Sequence, residues 1–281
     1  CRMEKTIQKL QDEISKDNNI HTLKYYLLYL DILGMEKRIN SSNSEHYLNI
    51  INDLYMKTIQ TIRNLYEEIN NVKINVRIFS DNIVIAIRQE DKLITTKESI
   101  KRTLIIEIAA LFQVLALLYA LPVRGGITID DFYVDDTFVY GKALTKTHSL
   151  ENEIAIYPRI VVDDDYVFLF TESQYLQKFI VKDTDGISYI TPFECYFNIS
   201  KIYKEDEIKR ISTVLKAMLS ENNSCKVVQK INWLINRFNE FCRNNSLEKY
   251  FLDIYSQPKL DKIFPENFEH KGESNKCLEQ N

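Results

Sequence analysis

The chain has 281 residues, 45% of them hydrophobic and 27% charged, with a formal net charge of −4. That balance suits a folded chain with one large core, and the mild acidity excludes binding nucleic acid through a bulk basic field. Six glycines and five prolines are too few for long linkers, and five cysteines at 1, 195, 225, 242 and 277 have no redox or metal-ligand spacing; they read as free thiols of a reducing, cytoplasmic compartment.

The polar opening MEKTIQKLQDEISKD reads as a helical segment within residues 1–22 and lacks the apolar run of a signal peptide. Residues 24–31 (KYYLLYLD) follow as a buried strand that ends on a carboxylate, Asp31. Over residues 44–70, Tyr47, Ile50, Ile51, Leu54, Thr58, Ile62, Leu65, Tyr66 and Ile69 keep the spacing of an amphipathic helix. KINVRIF (73–79) and NIVIAIR (82–88) are β-branched runs separated only by Ser80 and Asp81, the pattern of a tight hairpin. Residues 96–121 form an apolar helix. Its stretch Leu104–Val123 is long enough to span a bilayer, but Glu107 and Gln113 inside it and the lack of a basic flank favour burial within the protein. VRGGITIDDFYV (123–134) is a strand, GKALTKTHSLENEI (141–154) a shorter helix and PRIVVD (158–163) another strand.

That order is β-α-β-β-α-β followed by α-β, which predicts an α+β fold: a ferredoxin-like βαββαβ antiparallel sheet with helices on one face. The expected division is an N-terminal helical segment (1–22), a catalytic core (23–163), a strand and helical extension packed on it (164–255) and a polar tail (256–281). Within the extension, an Asp-Gly turn at 185–186 and helices over 205–219 and 225–242 are expected. Trp233, the single tryptophan, sits at helical spacing with Val228, Ile231 and Phe238 and reads as core of that part.

The chemistry converges on two carboxylates. In this topology the first strand and the hairpin are neighbours, so Asp31 and Asp81 meet at one edge of the sheet. Alone, an Asp after a strand caps a turn and a Ser-Asp hairpin tip is solvated. Together, two close carboxylates repel unless a cation sits between them. Mg²⁺ takes one or two carboxylates plus phosphate oxygens, and the carbonyl of Ile32 could add a further ligand. No Ser-His or Cys-His nucleophile pattern is present.

These residues resemble a known family. LDILGMEKRI is similar to the Asp-Ile-x-Gly-Phe motif of class III nucleotidyl cyclases, with Met35 for Phe. RIFSDNIVIAI resembles their second metal motif, with Ser80 in place of the usual Gly, and VRGGIT followed by YGKAL and LE resembles their Arg-Ile-Gly-Ile strand, Gly and helix. Across residues 25–240 the further stretches YPRIVVD, KDTDGISYI and KINWLINRFN are similar to the pyrimidine cyclases of Pycsar anti-phage systems.

The resemblance implies conversion of UTP, or second CTP, to its 3′,5′-cyclic monophosphate, which activates a partner effector. It implies two divalent ions, Mn²⁺ or Mg²⁺, held by Asp31, Ile32 and Asp81, with Ile32, Leu33 and Gly34 in the substrate-binding turn. It further implies two sites at the interface of a homodimer, with no nucleic-acid or membrane partner. Where purine cyclases carry a base-reading Lys and Asp, this chain has Arg77 and Phe138: a donor-only fork suited to a pyrimidine carbonyl, and a ring that accepts no amino proton. The family's helix Asn and Arg fall at Thr145 and Ser149, so another cation must serve the transition state, with Arg159 and Lys142 as candidates. Two other readings keep the fold: a dinucleotide synthase of the GGDEF or CRISPR-polymerase kind, against which FSDN at the hairpin argues, and a nucleotide sensor without turnover.

Overall fold

The computed structural model describes residues 20–64, 72–90, 95–200, 205–222 and 224–254. The elements run β1 (Leu23–Ile32), α1 (Met35–Ile39), α2 (Ser44–Ile62), β2 (Ile74–Phe79), β3 (Asn82–Arg88), α3 (Thr96–Leu118), β4 (Val123–Val134), β5 (Val139–Tyr140) and α4 (Lys142–Ser149). After α4 the helix widens into a π-turn at Leu150–Ile154, followed by β6 (Ile160–Val162), α5 (Val167–Thr171), β7 (Ile180–Lys182) and β8 (Ser188–Ile190). Three helices complete the described chain: α6 (Pro192–Ser200), α7 (Glu205–Glu221) and α8 (Cys225–Asn244). The expected N-terminal helix and polar tail fall outside the described residues, and the helix expected over 44–70 is described as an α-helix to Ile62.

The strands form one sheet in the order β2-β3-β1-β4-β6-β8-β7, with β5 paired to β4. Neighbours are antiparallel except β4 and β6. The first four positions are the expected split βαββαβ sheet. Beyond them, the segment expected as an appended extension contributes β7 and β8 to the same sheet. Its Asp-Gly turn is the reason: Gly186 takes φ 82°, a conformation open to glycine, and folds β7 back on β8.

Period-2 alternation divides the sheet into two faces. Tyr26, Leu28, Leu30, Ile83, Ile85, Ile87, Ile127 and Ile129 join the large core with α2, α3 and the C-terminal helices. Tyr25, Leu27, Tyr29, Val84, Ala86 and Phe132 point the other way, under the β4–β5 hairpin and α4. At Gly126 α4 sits flush on the sheet: a Cβ there would come within 2.6 Å of Leu150 Cβ and 2.9 Å of the Thr147 carbonyl.

Helix α3 explains why the most apolar stretch also carries charge. Thr95 caps it, accepting from the Glu98 amide at 3.2 Å. Buried Glu98 then accepts from Tyr26 (2.7 Å), Lys101 (2.7 Å) and the Glu90 amide (3.0 Å). Further along, Tyr175 donates to Glu107 and Gln113 donates to the Pro158 carbonyl, each at 2.7 Å. Each of these side chains finds a protein partner, although Gln113 Oε1 is left without one. Among the described residues, no helix is long and apolar enough to cross a membrane.

Candidate active site

Asp31 lies near the end of β1, opposite Asn82 of β3 on one side and Arg124 of β4 on the other. The chain reverses between β2 and β3 at Ser80 and Asp81, and the Ile32 amide donates to the Asp81 carbonyl at 3.1 Å. That bond zips the end of β1 to the hairpin tip, so Asp31 and Asp81 share one sheet end as the topology predicts. Ser80 adopts φ 57°. Glycine reaches that left-handed region freely and serine does not, which is the physical content of the Gly usual at this motif position. Gly34 uses the same freedom at φ 78° to start α1 directly behind the site.

Two tyrosines frame the carboxylates. Tyr29 donates to Asn82 Oδ1 at 2.7 Å, and Asn82 donates to Asp81 Oδ1 at 3.2 Å. Burial, and then the negative charges of Glu151, Asp31 and Asp81, push the Tyr29 phenol up to about 12. Tyr55 donates to the Ser80 carbonyl at 3.1 Å, and its phenol is raised by burial and by both aspartates. Both rings therefore feel both carboxylates, which places the two acids in one neighbourhood.

A third acid and two cations complete the cluster. Arg124 Nε donates to Asp31 Oδ2 at 3.1 Å and lies 2.5 Å from Glu151 Oε1. Glu151, in the π-turn after α4, is 3% exposed, and that same Oε1 accepts no well-directed hydrogen bond. Burial, only partly opposed by Arg124, pushes its carboxyl up to about 7, with Asp31 raising it further. Burial and then the charge of Arg124 lower the pKa of half-buried Lys230 on α8, against the pull of Asp31 and Glu151. None of these three was singled out by sequence reasoning. Arg124 and Glu151 stand in stretches that carry the family resemblance, VRGGIT and LE, whereas nothing local marks Lys230.

A divalent ion fits the donor set. Asp31 and Asp81 supply the one or two hard carboxylates that Mg²⁺ takes when substrate phosphate and water fill its other positions. Among the described residues no group of three or more His, Cys, Asp or Glu side chains could hold a metal alone, so the site suits an ion that arrives with a phosphate ligand. In the adjoining turn the amides of Ile32 and Leu33 are already bonded, the second to the Pro122 carbonyl at 2.9 Å. Those two positions therefore offer substrate no free N–H, and only their carbonyls and Gly34 remain for the expected role.

The remaining expected residues separate into two groups. Arg77 and Phe138 come together at the β4–β5 hairpin, which folds over the sheet's second face. Arg77 Nε donates to the Asp135 carbonyl at 3.0 Å, and Asp135 accepts from the Phe138 amide at 2.9 Å. Phe138 is 47% exposed and packs on Tyr133. Thr145 is exposed on α4, and Ser149 ends that helix partly covered. Lys142 is solvated, its ammonium 3.9 Å from Asp131.

Arg159, expected as a candidate cation, stands in an ion-pair network of its own. It is fully buried, with Nη1 2.9 Å from Asp183 and Nη2 2.5 Å from Asp185. Both Nη groups are engaged while the buried Nε has no partner, and the side chain ties β6 to the β7–β8 hairpin. Trp233 closes the same junction, stacked on Tyr157 at 5.9 Å and donating to Asp183 at 2.8 Å.

No family model matches this chain, and no curated protein matches it. Solved structures do. The adenylyl cyclase CyaB from P. aeruginosa is 14% identical over 61% of this chain and 93% of its own, with a TM-score of 0.40. The guanylyl cyclase Cya2 is 11% identical over 60% of this chain and 92% of its own, with a TM-score of 0.39. A class III adenylyl cyclase-like ATP-binding protein from Pseudomonas aeruginosa is 12% identical over 79% of this chain and 52% of its own, with a TM-score of 0.47.

Proposed function

We propose that this protein is a metal-dependent nucleotidyl cyclase acting on a pyrimidine nucleoside triphosphate, UTP ahead of CTP. The observation that carries the reading is the pairing of Asp31 and Asp81 at one sheet end, fixed by the Ile32–Asp81 backbone bond and the β1–β3 register. The carboxylates would hold one or two Mn²⁺ or Mg²⁺ ions, which when bound would acidify the ribose 3′ hydroxyl and neutralise the triphosphate. The protein's own contribution is positional: Asn82 and Tyr29 hold Asp81, and Arg124 holds Asp31. A preorganised charge array of this kind stabilises a phosphoryl transition state without a covalent nucleophile.

Arg77 and Phe138 support the pyrimidine preference. A guanidinium offers donors alone, which suit a ring carbonyl, and a phenyl ring cannot receive the amino proton of adenine. In one chain Arg77 turns toward the β4–β5 hairpin. That arrangement fits a homodimer in which the base-side group of one chain faces the carboxylates of its partner. The resemblance to Pycsar cyclases extends the proposal to signalling in anti-phage defence, with the cyclic product acting on a separate effector.

The test is turnover of purified protein with ATP, GTP, CTP and UTP in Mn²⁺, with products identified by mass. One cyclic pyrimidine monophosphate, absent with Asp81→Ala, supports the reading; linear or cyclic dinucleotides, or a purine product, overturn it. Mixing inactive Asp81→Ala with inactive Arg77→Ala should restore part of the activity if each site draws on two chains. A sensor reading has one observation in its favour, the Thr145 and Ser149 side chains where the family carries Asn and Arg. It predicts a melting shift with triphosphate and Mn²⁺ and no product from any of the four.

A further inference from the structure

The turn after β1 has a gap in its backbone hydrogen bonding that one side chain fills. The β1–β4 register pairs Asp31 with Arg124 and Ile32 with Val123, and one step further on it sets Leu33 opposite Pro122. The Leu33 amide donates to the Pro122 carbonyl at 2.9 Å. Residues in such a hydrogen-bonded pair ordinarily exchange two N–H···O bonds. Proline has no N–H to return the second, so the Leu33 carbonyl loses its ladder donor. Arg38 supplies one. Its Nη1 donates to the Leu33 carbonyl at 3.2 Å, and its Nη2 donates to the Ala120 carbonyl at 2.7 Å.

The chemistry of the side chain suits this place. Arg38 is half-buried in α1, with its guanidinium carbon 5.5 Å from the centre of the Tyr47 ring. Among the described residues it makes no ion pair, so its charge is answered by the two carbonyls and that ring. A planar fork can span carbonyls on two separate segments, here the β1–α1 turn and the loop before β4; a lysine brings a single nitrogen. The Ser41 hydroxyl donates to the Arg38 carbonyl at 2.7 Å, which pins the backbone that carries the fork. The turn needs such a brace. Gly34, next after Leu33, sits at φ 78° and has the widest backbone freedom of any residue. On the other side Ala120 is held at φ 57°, a left-handed conformation that its Cβ disfavours.

The consequence falls on Ile32. Across a trans peptide the C=O of one residue and the N–H of the next point in opposite directions. With the Leu33 N–H bonded to Pro122, the Ile32 carbonyl points to the other side of the strand, the side on which the Ile32 amide bonds the Asp81 carbonyl. We propose that Arg38 is a positioning residue of the metal site: it stands in for the amide that Pro122 lacks, keeps the Leu33 peptide bound, and so keeps the Ile32 carbonyl on the Asp81 side. The inference rests on the cyclase reading, in which Asp31, Ile32 and Asp81 hold the divalent ion. Arg38 acts through the turn and is not itself a ligand.

The experiment measures Mn²⁺ affinity in the presence of inorganic triphosphate, by electron paramagnetic resonance, and hydrogen exchange of residues 30–35, by mass spectrometry. The proteins are wild type, Arg38→Met, Arg38→Lys, the double variant Arg38→Met with Pro122→Ala and, as a control on the same helix, Lys37→Ala. Methionine keeps the apolar stem and drops the fork. Arg38→Met should weaken Mn²⁺ by about tenfold and speed exchange of residues 30–35 by a similar factor. Arg38→Lys should fall in between. The double variant should recover most of both, because alanine at 122 restores a backbone donor opposite Leu33. Exposed Lys37→Ala should match wild type. The proposal is overturned by unchanged Mn²⁺ affinity in Arg38→Met, by a loss that Pro122→Ala does not repair, which would mean charge or packing, or by an equal loss in Lys37→Ala, which would mean diffuse charge. Should Arg38→Met fail to fold, Arg38→Lys and the double variant carry the same test. Turnover by wild type beside an unaffected Arg38→Met would sink this proposal alone. The expected Arg38 effects in a protein that turns over none of the four nucleotides would sink the cyclase reading and leave the positioning role standing.

Discussion

Two clusters of charge flank β6, built from the same residue types. Around Arg159 an arginine fork meets Asp183 and Asp185, Trp233 donates to Asp183, and the Asp183 and Asp185 carboxylates also accept backbone amides of the β7–β8 turn. Around Arg124 one arginine is shared between Asp31 and Glu151, Asp81 is held only by an amide side chain, and Lys230 has no ion pair among the described residues. In the first cluster each charged side chain has an ion-pair partner, with only Arg159 Nε lacking a hydrogen bond, and the cluster, closed in charge, joins parts of the fold. The second is open: it shares one arginine between two of its three acids and leaves Asp81 with no cation among the described residues, an arrangement a folded chain keeps when something else is to be bound.

The largest break in this contrast should come from Arg159→Met. It strands Asp183, 5% exposed, without its cation. Breaking a buried pair from one side costs about 3–5 kcal/mol, so urea midpoints and melting temperature should fall sharply. Asp81→Asn belongs to the open cluster and should do the reverse: melting temperature close to wild type, turnover down about a hundredfold or more. If Asp81→Asn unfolds the protein while Arg159→Met leaves it intact, the assignment of closed and open clusters is the wrong way round.

A smaller effect tests whether carboxyl strain is confined to the site. Glu194 on α6 is also pushed up to about 7, mainly by burial and further by Glu240. Between pH 4.5 and about 7 the native state holds a proton that the unfolded state releases, so stability falls as pH rises through that window. Glu194→Gln should flatten the dependence and gain on the order of 1 kcal/mol at pH 8, read as a pH series of melting temperatures. The smallest effect is Ser80→Gly. It relieves the left-handed serine at the hairpin tip and should stabilise by about 1 kcal/mol at most, with turnover unchanged; a loss of activity would mean that the serine side chain serves the site.

Much of this was legible in local pattern. The runs on either side of Ser80 and Asp81 have the alternation of strands, and two residues leave room for nothing but a tight turn, so β2, β3 and the position of Asp81 could be read directly. The β1–β3 pairing followed from topology, and Asp31 with it. Arg124, Glu151 and Lys230 were not legible as a group, because 27 and 79 residues separate them in turn and only tertiary packing brings β4, the π-turn and α8 together. The ion pairs of Arg159 were not legible either. A lone arginine in an apolar run looks available, and its partners lie 24 and 26 residues downstream across a turn.

Gly126 has a consequence for how the open cluster is tuned. Because the sheet offers no side chain there, the end of α4 rests on bare backbone, and the π-turn that begins at Leu150 starts from that contact. Arg124 is two residues before that glycine and Glu151 one residue after Leu150, so the contact acts as a fulcrum between them. A single methyl placed at position 126 would lever the helix off the sheet and swing Glu151 away from the guanidinium, detuning a charge cluster it never touches.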